Sequence, residues 1–255
     1  MATIMIEEQV GAYSIALTHL HTVESDGMVT SGQLFSDIAQ AQEMLEIPII
    51  AAVTNHETIN GLGKARAAAD YFGIPMIDGV ELTVGKIPPK HLAVLFKKGA
   101  QRPIKTAKTV EGTIDNIKED EGLVIAAHPD GFRGIASLTS SEMRRLGNRE
   151  LIDGLEVISG TYDRRERLQP IVEELSQDRP IAQIGSPDSH FGQKDLLTAV
   201  TLFRGKTVDD FFESVKNGTT IPLKGVVHNV STMDRVLQNF YSNIILNVRR
   251  LAHTL

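Results

Sequence analysis

The chain has 255 residues, 42% of them hydrophobic, with no tryptophan and no cysteine. That length and composition suit a single α/β barrel with a largely aliphatic core, and the absence of thiols excludes disulfides and thiolate metal ligands. The net charge of −6, with basic residues scattered along the chain, disfavours long nucleic acid as a partner; an anionic substrate stays open if bound cations supply local positive charge.

Met1–Gln9 contains Glu7 and Glu8 and no basic stretch, so a secretory signal is not expected. The longest apolar runs are of strand length, so no membrane span is expected and a cytoplasmic setting is the natural reading. The first strand is expected over Ser14–Leu20, followed by a helix over Ser31–Leu45 in which Leu34, Ile38, Ala41 and Leu45 recur at helical spacing. A second strand, Ile49–Thr54, precedes a helix over Leu62–Phe72 that Gly73 stops. Strands three and four are expected at Met76–Val80 and His91–Phe96, with Gly79 and Gly85 as turn residues. A helix over Thr109–Glu121, stopped by Gly122, leads to strand five, Leu123–Ala127. Thr139–Ser140–Ser141–Glu142 matches a capping box, and Leu155–Ile158 reads as strand six. Pro170 predicts a break in the helical segment Asp163–Ser176. Ile181–Ile184 is strand seven, Leu197–Phe203 a further strand candidate, and Thr207–Asn217 a helix with Thr207 as N-cap. This alternation of strands and helices implies a parallel sheet covered by helices.

The placement of ionisable residues carries the functional signal. His19 and His21 end strand one, two apart and so on one face of it, and Asp26 follows. His56 lies just past strand two and Glu81 just past strand three; His91 opens strand four and His128 closes strand five. Asp188 and His190 lie just past strand seven. In an α/β barrel the C-terminal ends of the strands share one face, where active sites are built. Imidazoles and carboxylates converging there form the usual ligand set for Zn²⁺, Mn²⁺ or Fe²⁺. Without cations they would suffer desolvation and like-charge repulsion.

In order along the chain, His19-x-His21, Asp26, Thr54–Asn55–His56, Gly79-x-Glu81, His91, His128–Pro129 and Asp188-x-His190 resemble the motifs of the PHP (polymerase and histidinol phosphatase) superfamily. The resemblance runs from about Ala12 to Phe203. It implies a distorted (β/α)7 TIM-like barrel, two to three divalent metal ions (Zn, Mn or Fe) and phosphoesterase activity. It also implies that His19, His21, Glu81 and Asp188 hold one ion, that Glu81 bridges to a second completed by His91 and His128, and that Asp26, His56 and His190 hold a third. The family usually has Thr-Asp-His where this chain has Thr54–Asn55–His56, a change expected to weaken or alter the third site rather than abolish it. Some members acting on nucleotides carry a large insertion between the positions of His91 and His128; here that stretch has room for little more than a strand, a helix and loops.

The chemistry implied is attack on a phosphate ester by a metal-activated hydroxide. The expected substrate is a phosphomonoester of a small metabolite or nucleotide. A nuclease or phosphodiesterase and a catalytically silent metal-binding scaffold are the alternatives. Arg133, Arg164 and Arg165 are candidate phosphate-binding cations on loops of the same face, and Asp188 and His190 are candidate catalytic groups, with Arg133 beside them. Gly61-x-Gly63–Lys64 is not a Walker A loop and reads as the start of the Leu62–Phe72 helix.

The domain expectation is a barrel over residues 1–228 and an amphipathic helix over 229–255 packed on it. From Thr232 to Ala252, Met233, Val236, Leu237, Phe240, Ile244, Val248 and Leu251 belong to one helical stripe. The stripe suits packing on the barrel or pairing in a homo-oligomer, and its polar face lacks the lysines of a membrane-surface helix. Deleting Thr232–Leu255 is expected to damage solubility or stability while leaving every ligand-type side chain in place. Sedimentation separates the two roles: a monomeric parent excludes pairing, and a truncated chain as stable and soluble as the parent excludes both.

Overall fold

The computed structural model describes residues 12–85, 89–97, 99, 106–107, 109–130 and 137–225. Strand β1 (Tyr13–Leu20) is followed by α1 (Ser31–Leu45), β2 (Ile49–Val53), α2 (Leu62–Phe72), β3 (Met76–Val84) and β4 (Lys90–Phe96). Then come α3 (Val110–Glu119), β5 (Gly122–Ala126), α4 (Ser140–Gly147), β6 (Gly154–Ser159), the two-residue β7 (Tyr162–Asp163) and α5 (Arg165–Leu175). The described part ends with β8 (Ala182–Ser186), a 3₁₀ turn at Gly192–Lys194, β9 (Ala199–Arg204), α6 (Val208–Lys216) and β10 (Ile221–Lys224). The C-terminal helix expected from Thr232 onward lies outside the described residues. Among the described residues no helix is long and apolar enough to cross a membrane.

Local sequence accounts for the helix ends. The Thr30 hydroxyl accepts the Gln33 N–H at the start of α1, and Gly73, at φ 67°, ends α2 with its N–H on the carbonyls of Ala69 and Asp70. Thr139 with Glu142, and Thr207 with Asp210, form complete capping boxes on α4 and α6. Pro170 does not break α5. It removes a single amide donor, and buried Leu168, Ile171, Val172 and Leu175 on both sides of it anchor the helix to one core.

Strands β1, β2 and β3 are parallel neighbours, as are β5, β6 and β8, but β4 runs antiparallel to both β3 and β5. The expected parallel order is thus corrected at β4 and again at β9, which runs antiparallel to β1. Continuous pairing from Asp78↔Phe96 to Val84↔Lys90 extends β3 past Glu81 to Val84, and makes β3–β4 a hairpin. Gly79 is therefore a strand residue and not a turn: a Cβ there would meet Thr54 Cγ2 at 2.7 Å and the Val53 carbonyl at 3.0 Å. Gly85, at φ 77°, is the turn glycine. Strands β9 and β10 pair antiparallel beyond β1.

The sheet curls until its ends nearly meet. Leu20 bridges to Ser189, with the His21 N–H on the Ser189 carbonyl at 2.9 Å and the Ser189 N–H on the His19 carbonyl at 3.1 Å. Below, the Thr201 hydroxyl accepts the Gly185 N–H (2.9 Å) and donates to the Gly185 carbonyl (2.8 Å). Outside the barrel, α1 and α2 pack on β1 and β2 through Leu34, Phe35, Ile38, Leu62 and Ala65, while α3, α4 and α5 cover β4 to β6. Inside, Ala16, Ile50, Ile77, Leu95, Ile125 and Ile184 form an apolar floor with Phe211 and Phe212 of α6.

Gly185 fixes the tightest point of closure, because a Cβ there would meet the Val200 carbonyl oxygen at 2.3 Å and Leu223 N at 3.2 Å. Neither atom can yield without moving a strand. Gly185→Ala is expected to lower stability by about 1–3 kcal/mol, the range for overpacking a well-filled interior, as measured by thermal unfolding.

Candidate metal centre

Each strand that supplies a candidate ligand has an apolar lower half and an ionisable upper end: Ala16 below His19, Ile77 below Glu81, Ile125 below His128, Ile184 below Asp188. Strand β4 inverts the order, with His91 before Ala93 and Leu95, and its reversed direction brings His91 to the same face. On β1 an extra residue shifts the alternation beyond Leu17, and His19 and His21 still share one face, both turned toward Glu81. Leu17 pairs with Ala51 and Leu20 with Val53, so three steps on β1 match two on β2. This bulge keeps Leu17 and Leu20 both in the outer core and frees His19 to turn inward.

All nine expected ligands come together. Glu81, 1% exposed, is the hub. Its Oε2 lies 3.1 Å from His19 Nε2, 3.4 Å from His21 Nε2 and 3.2 Å from His56 Nε2. Its Oε1 lies 2.8 Å from His91 Nδ1 and 3.1 Å from His128 Nε2. Asp26 Oδ2 is 3.2 Å from His190 Nε2 and 3.6 Å from His56 Nε2, and Asp188 Oδ1 is 3.5 Å from both His19 and His21. Among the described residues, three groups offer ligand atoms within 4.8 Å of one another: His21, Asp26, His56 and His190; His19, His21 and Asp188; His56, Glu81 and His91. His21 thus adjoins the Asp26 group as well as the one the resemblance gives it, and His56 also adjoins Glu81 and His91.

The donor set fits divalent cations. Among the described residues, buried His19 Nε2, His21 Nε2 and His91 Nδ1 have no hydrogen-bond partner although each faces a Glu81 oxygen. Lone pairs converging without hydrogen bonds are what a metal ion satisfies. Protons alone serve the cluster unevenly. Burial pushes His56 down to about 3, whereas at His190 the Asp26 and Asp188 carboxylates overcome burial and raise it to about 10. Burial opposes ionisation of Glu81 too, but His56, His19 and His91 hold its carboxyl well below the usual range.

Other side chains hold the ligands in place. The sequence reading missed Glu156 of β6, a buried acid in an apolar strand that accepts from His19 Nδ1 (2.8 Å) and from the His128 N–H (2.7 Å). It also missed Asp195, which accepts from the Ser189 hydroxyl (2.5 Å) and from the His190 N–H (2.8 Å). His128 and Asp188 lie in the left-handed region at φ 29° and 48°, which L-residues seldom adopt. Lys90, 4% exposed, donates to the Ser137 carbonyl at 2.9 Å, and Ser137 Oγ sits 3.3 Å from His128 Nδ1.

The candidate arginines separate. Arg133 lies outside the described residues. Arg165 is committed to Asp163 through Nε and Nη2 on the exposed start of α5. Arg164 is half-buried, its Nη1 is buried with no hydrogen-bond partner among the described residues, and its guanidinium lies 5.1 Å from the centre of the Tyr162 ring. Gly61 does cap the start of α2, and Lys64 pairs with Glu24 at 2.7 Å.

Asn55, 1% exposed, grips the loop that carries Asp26. Its Oδ1 accepts from Thr22 N (2.8 Å), Thr22 Oγ1 (3.2 Å) and Ser25 Oγ (3.0 Å), and Ser25 Oγ also donates to Asp26 Oδ1 at 3.2 Å. A carboxylate could accept from the same donors but would bury another negative charge. Asn55→Asp is therefore expected to lower the melting temperature of the metal-free protein and to enlarge the rise that Mn²⁺ produces. Equal Mn²⁺-induced shifts in parent and variant would leave Asn55 without a role in cation affinity.

No family model matches the chain. Over 66 residues, 26% of this chain, it is 39% identical to a 3′,5′-nucleoside bisphosphate phosphatase of Chromobacterium violaceum, and the match spans 21% of that protein. A two-domain protein of Bacteroides vulgatus containing a predicted PHP-like metal-dependent phosphoesterase superposes with a TM-score of 0.66 at 16% identity, over 84% of this chain and 65% of that one. A protein of Bifidobacterium adolescentis described as a metal-dependent phosphoesterase gives 0.56 at 19% identity, over 80% of this chain and 96% of its own. At these identities the structural likeness is one of fold, and it agrees with the motifs: the chain has the fold of the PHP-like metal-dependent phosphoesterases.

Proposed function

We propose that this chain is a metal-dependent phosphoesterase that hydrolyses a phosphomonoester of a small metabolite or nucleotide. The observation that carries the reading is the Glu81 hub, a buried carboxylate with imidazoles from four other strands or strand ends around both of its oxygens. Two to three divalent ions, Zn, Mn or Fe, suit the imidazole–carboxylate donor set. When bound, such ions supply an acidified water and positive charge for the phosphoryl oxygens.

The chain's own residues would do the rest. His19, His21, Glu81 and Asp188, with Asp26, His56, His91, His128 and His190, would hold the ions. Asp188 is the most exposed of these acids, its side chain 31% accessible against 1% for Glu81 and 3% for Asp26, so it is the carboxylate best placed to meet substrate. His190, tied through Nδ1 to the Asp188 carbonyl at 2.9 Å, keeps Nε2 toward Asp26. Arg164 would bind the phosphoryl group, since its buried Nη1 has no hydrogen-bond partner among the described residues and Arg165 is already paired. The name of the Chromobacterium relative and the charge balance both favour a small phosphorylated substrate over a long polynucleotide.

The test is a metal-replete hydrolysis screen over phosphomonoesters, nucleotides and short oligonucleotides, with metal content measured in parallel. The parent should hold two to three ions per chain and hydrolyse monoesters. Less than one ion per chain after Mn²⁺ or Zn²⁺ loading would sink the reading. Glu81→Gln should lose bound metal and activity together, by more than about 100-fold, the upper end for residues that merely support ligands. Arg164→Ala should raise KM about 10-fold or more, the value of one hydrogen bond to a charged group, while Arg165→Ala leaves it nearly unchanged.

A further inference from the structure

We infer that Glu156 is a positioning residue that sets two metal ligands at once, presenting His19 through its Nε2 and holding the strained backbone of His128 in its ligating conformation. The inference rests on the metal-centre reading above and extends it to a residue outside the motif set.

Glu156 is 1% exposed and both of its oxygens are engaged on the side facing the ligands. Oε1 lies 2.8 Å from His19 Nδ1, and Oε2 accepts the His128 N–H at 2.7 Å. His19 comes from β1 and His128 follows β5, so one side chain of β6 spans two ligands that no strand pairing connects. A carboxylate against Nδ1 keeps the proton on that nitrogen and leaves Nε2 free to ligate. Nε2 is the buried His19 atom with no hydrogen-bond partner among the described residues, 3.1 Å from Glu81. At His128 the same carboxylate satisfies the amide of a residue held at φ 29°, a conformation that persists only where its surroundings impose it.

Replacement by glutamine exposes the double duty. Glutamine has one acceptor oxygen where glutamate has two. If that oxygen serves the His128 N–H, the amide NH₂ faces His19 Nδ1 and drives its proton to Nε2, the ligating atom. If it serves His19, the NH₂ faces the His128 N–H, donor against donor. Either way one ligand is misplaced, although the volume of the side chain is unchanged.

The experiment is a calorimetric Zn²⁺ titration of the parent, Glu156→Gln and Asp153→Asn, with the thermal melting of each metal-free protein. Asp153 precedes the same strand and accepts the Val124 N–H at 2.7 Å and a bond from Lys118, but touches no candidate ligand, so it reports plain structural loss. Glu156→Gln should bind Zn²⁺ about 10–100-fold more weakly than the parent, the usual loss for a partner of a ligating histidine. Asp153→Asn should stay within about twofold of the parent even where it melts earlier. Glu156→Gln affinity within about twofold of the parent would overturn the inference, as would an equal loss in Asp153→Asn. A parent that binds no Zn²⁺ would instead overturn the metal-centre reading itself. A Glu156→Gln chain that fails to fold would be replaced by Glu156→Asp, whose shortened carboxylate cannot reach both partners and should show the same selective loss.

Discussion

Everything at the upper end of this barrel answers to one constraint: a carboxylate removed from water, with five imidazoles between 2.8 and 3.4 Å from its oxygens. Isolated, such a carboxylate would protonate to escape the cost of burial. Here the imidazoles hold it ionised, yet they cannot all be protonated, since each added charge repels the next. His21 and His190 stack with ring centres 4.3 Å apart, and His21 and His56 with centres 4.8 Å apart, which is comfortable for neutral rings and costly for two cations. Divalent ions resolve the conflict because they take lone pairs from neutral imidazoles and charge from carboxylates together.

The backbone is bent to meet that constraint. The β1 bulge turns His19 inward, the reversal of β4 carries His91 up from the start of its strand, and left-handed turns at His128 and Asp188 aim residues that ordinary strands would point away. A second shift in register, between Glu156 and Ile158 against β8, falls directly after the acid that serves His19. The bulges cost some pairing and the left-handed turns some strain, whereas the reversed β4 stays continuously paired with β3; each device lies beside an ionisable residue. The floor below, built from Ala16, Ile50, Ile125 and Ile184, needs no such devices because apolar contact tolerates small errors of aim that ligation does not.

This division explains what was legible in the sequence. Strand and helix positions follow from periodicity and caps, which are local, so α1 and α2 fall at the residues expected. The candidate ligands were visible because imidazoles and acids interrupt the apolar pattern at one strand end after another. The direction of β4 was not, since a short apolar run reads the same both ways and only its pairing with β3 and β5 decides. Pro170 misled because the penalty for a proline is local whereas the core contacts that outweigh it are not. Glu156 had a signal, a lone acid in Gly-Leu-Glu-Val-Ile-Ser, but one acid in a strand has many explanations until its partners are known. Arg164 and Arg165 are equivalent in sequence and differ only in three dimensions, where Asp163 takes one of them.

The same constraint couples cation binding to the fold as a whole. The candidate ligands are distributed over β1, the loops after β1, β2, β5 and β8, and both strands of the β3–β4 hairpin, so an ion held by them ties together segments far apart in the chain. An ion that binds the folded chain and not the unfolded one stabilises the fold by about 2.7 kcal/mol at a hundredfold excess over its dissociation constant. Closure is drawn into this coupling, because the bond from the His21 N–H to the Ser189 carbonyl lies between a candidate ligand of β1 and the Asp188–His190 pair, and Gly185 stands three residues below Asp188. Opening the seam between β1 and β8 would therefore separate ligands as well as strands. The barrel is held shut from its floor by apolar contact, and cations bound by the candidate ligands would add at its rim a contribution that is lost when they leave.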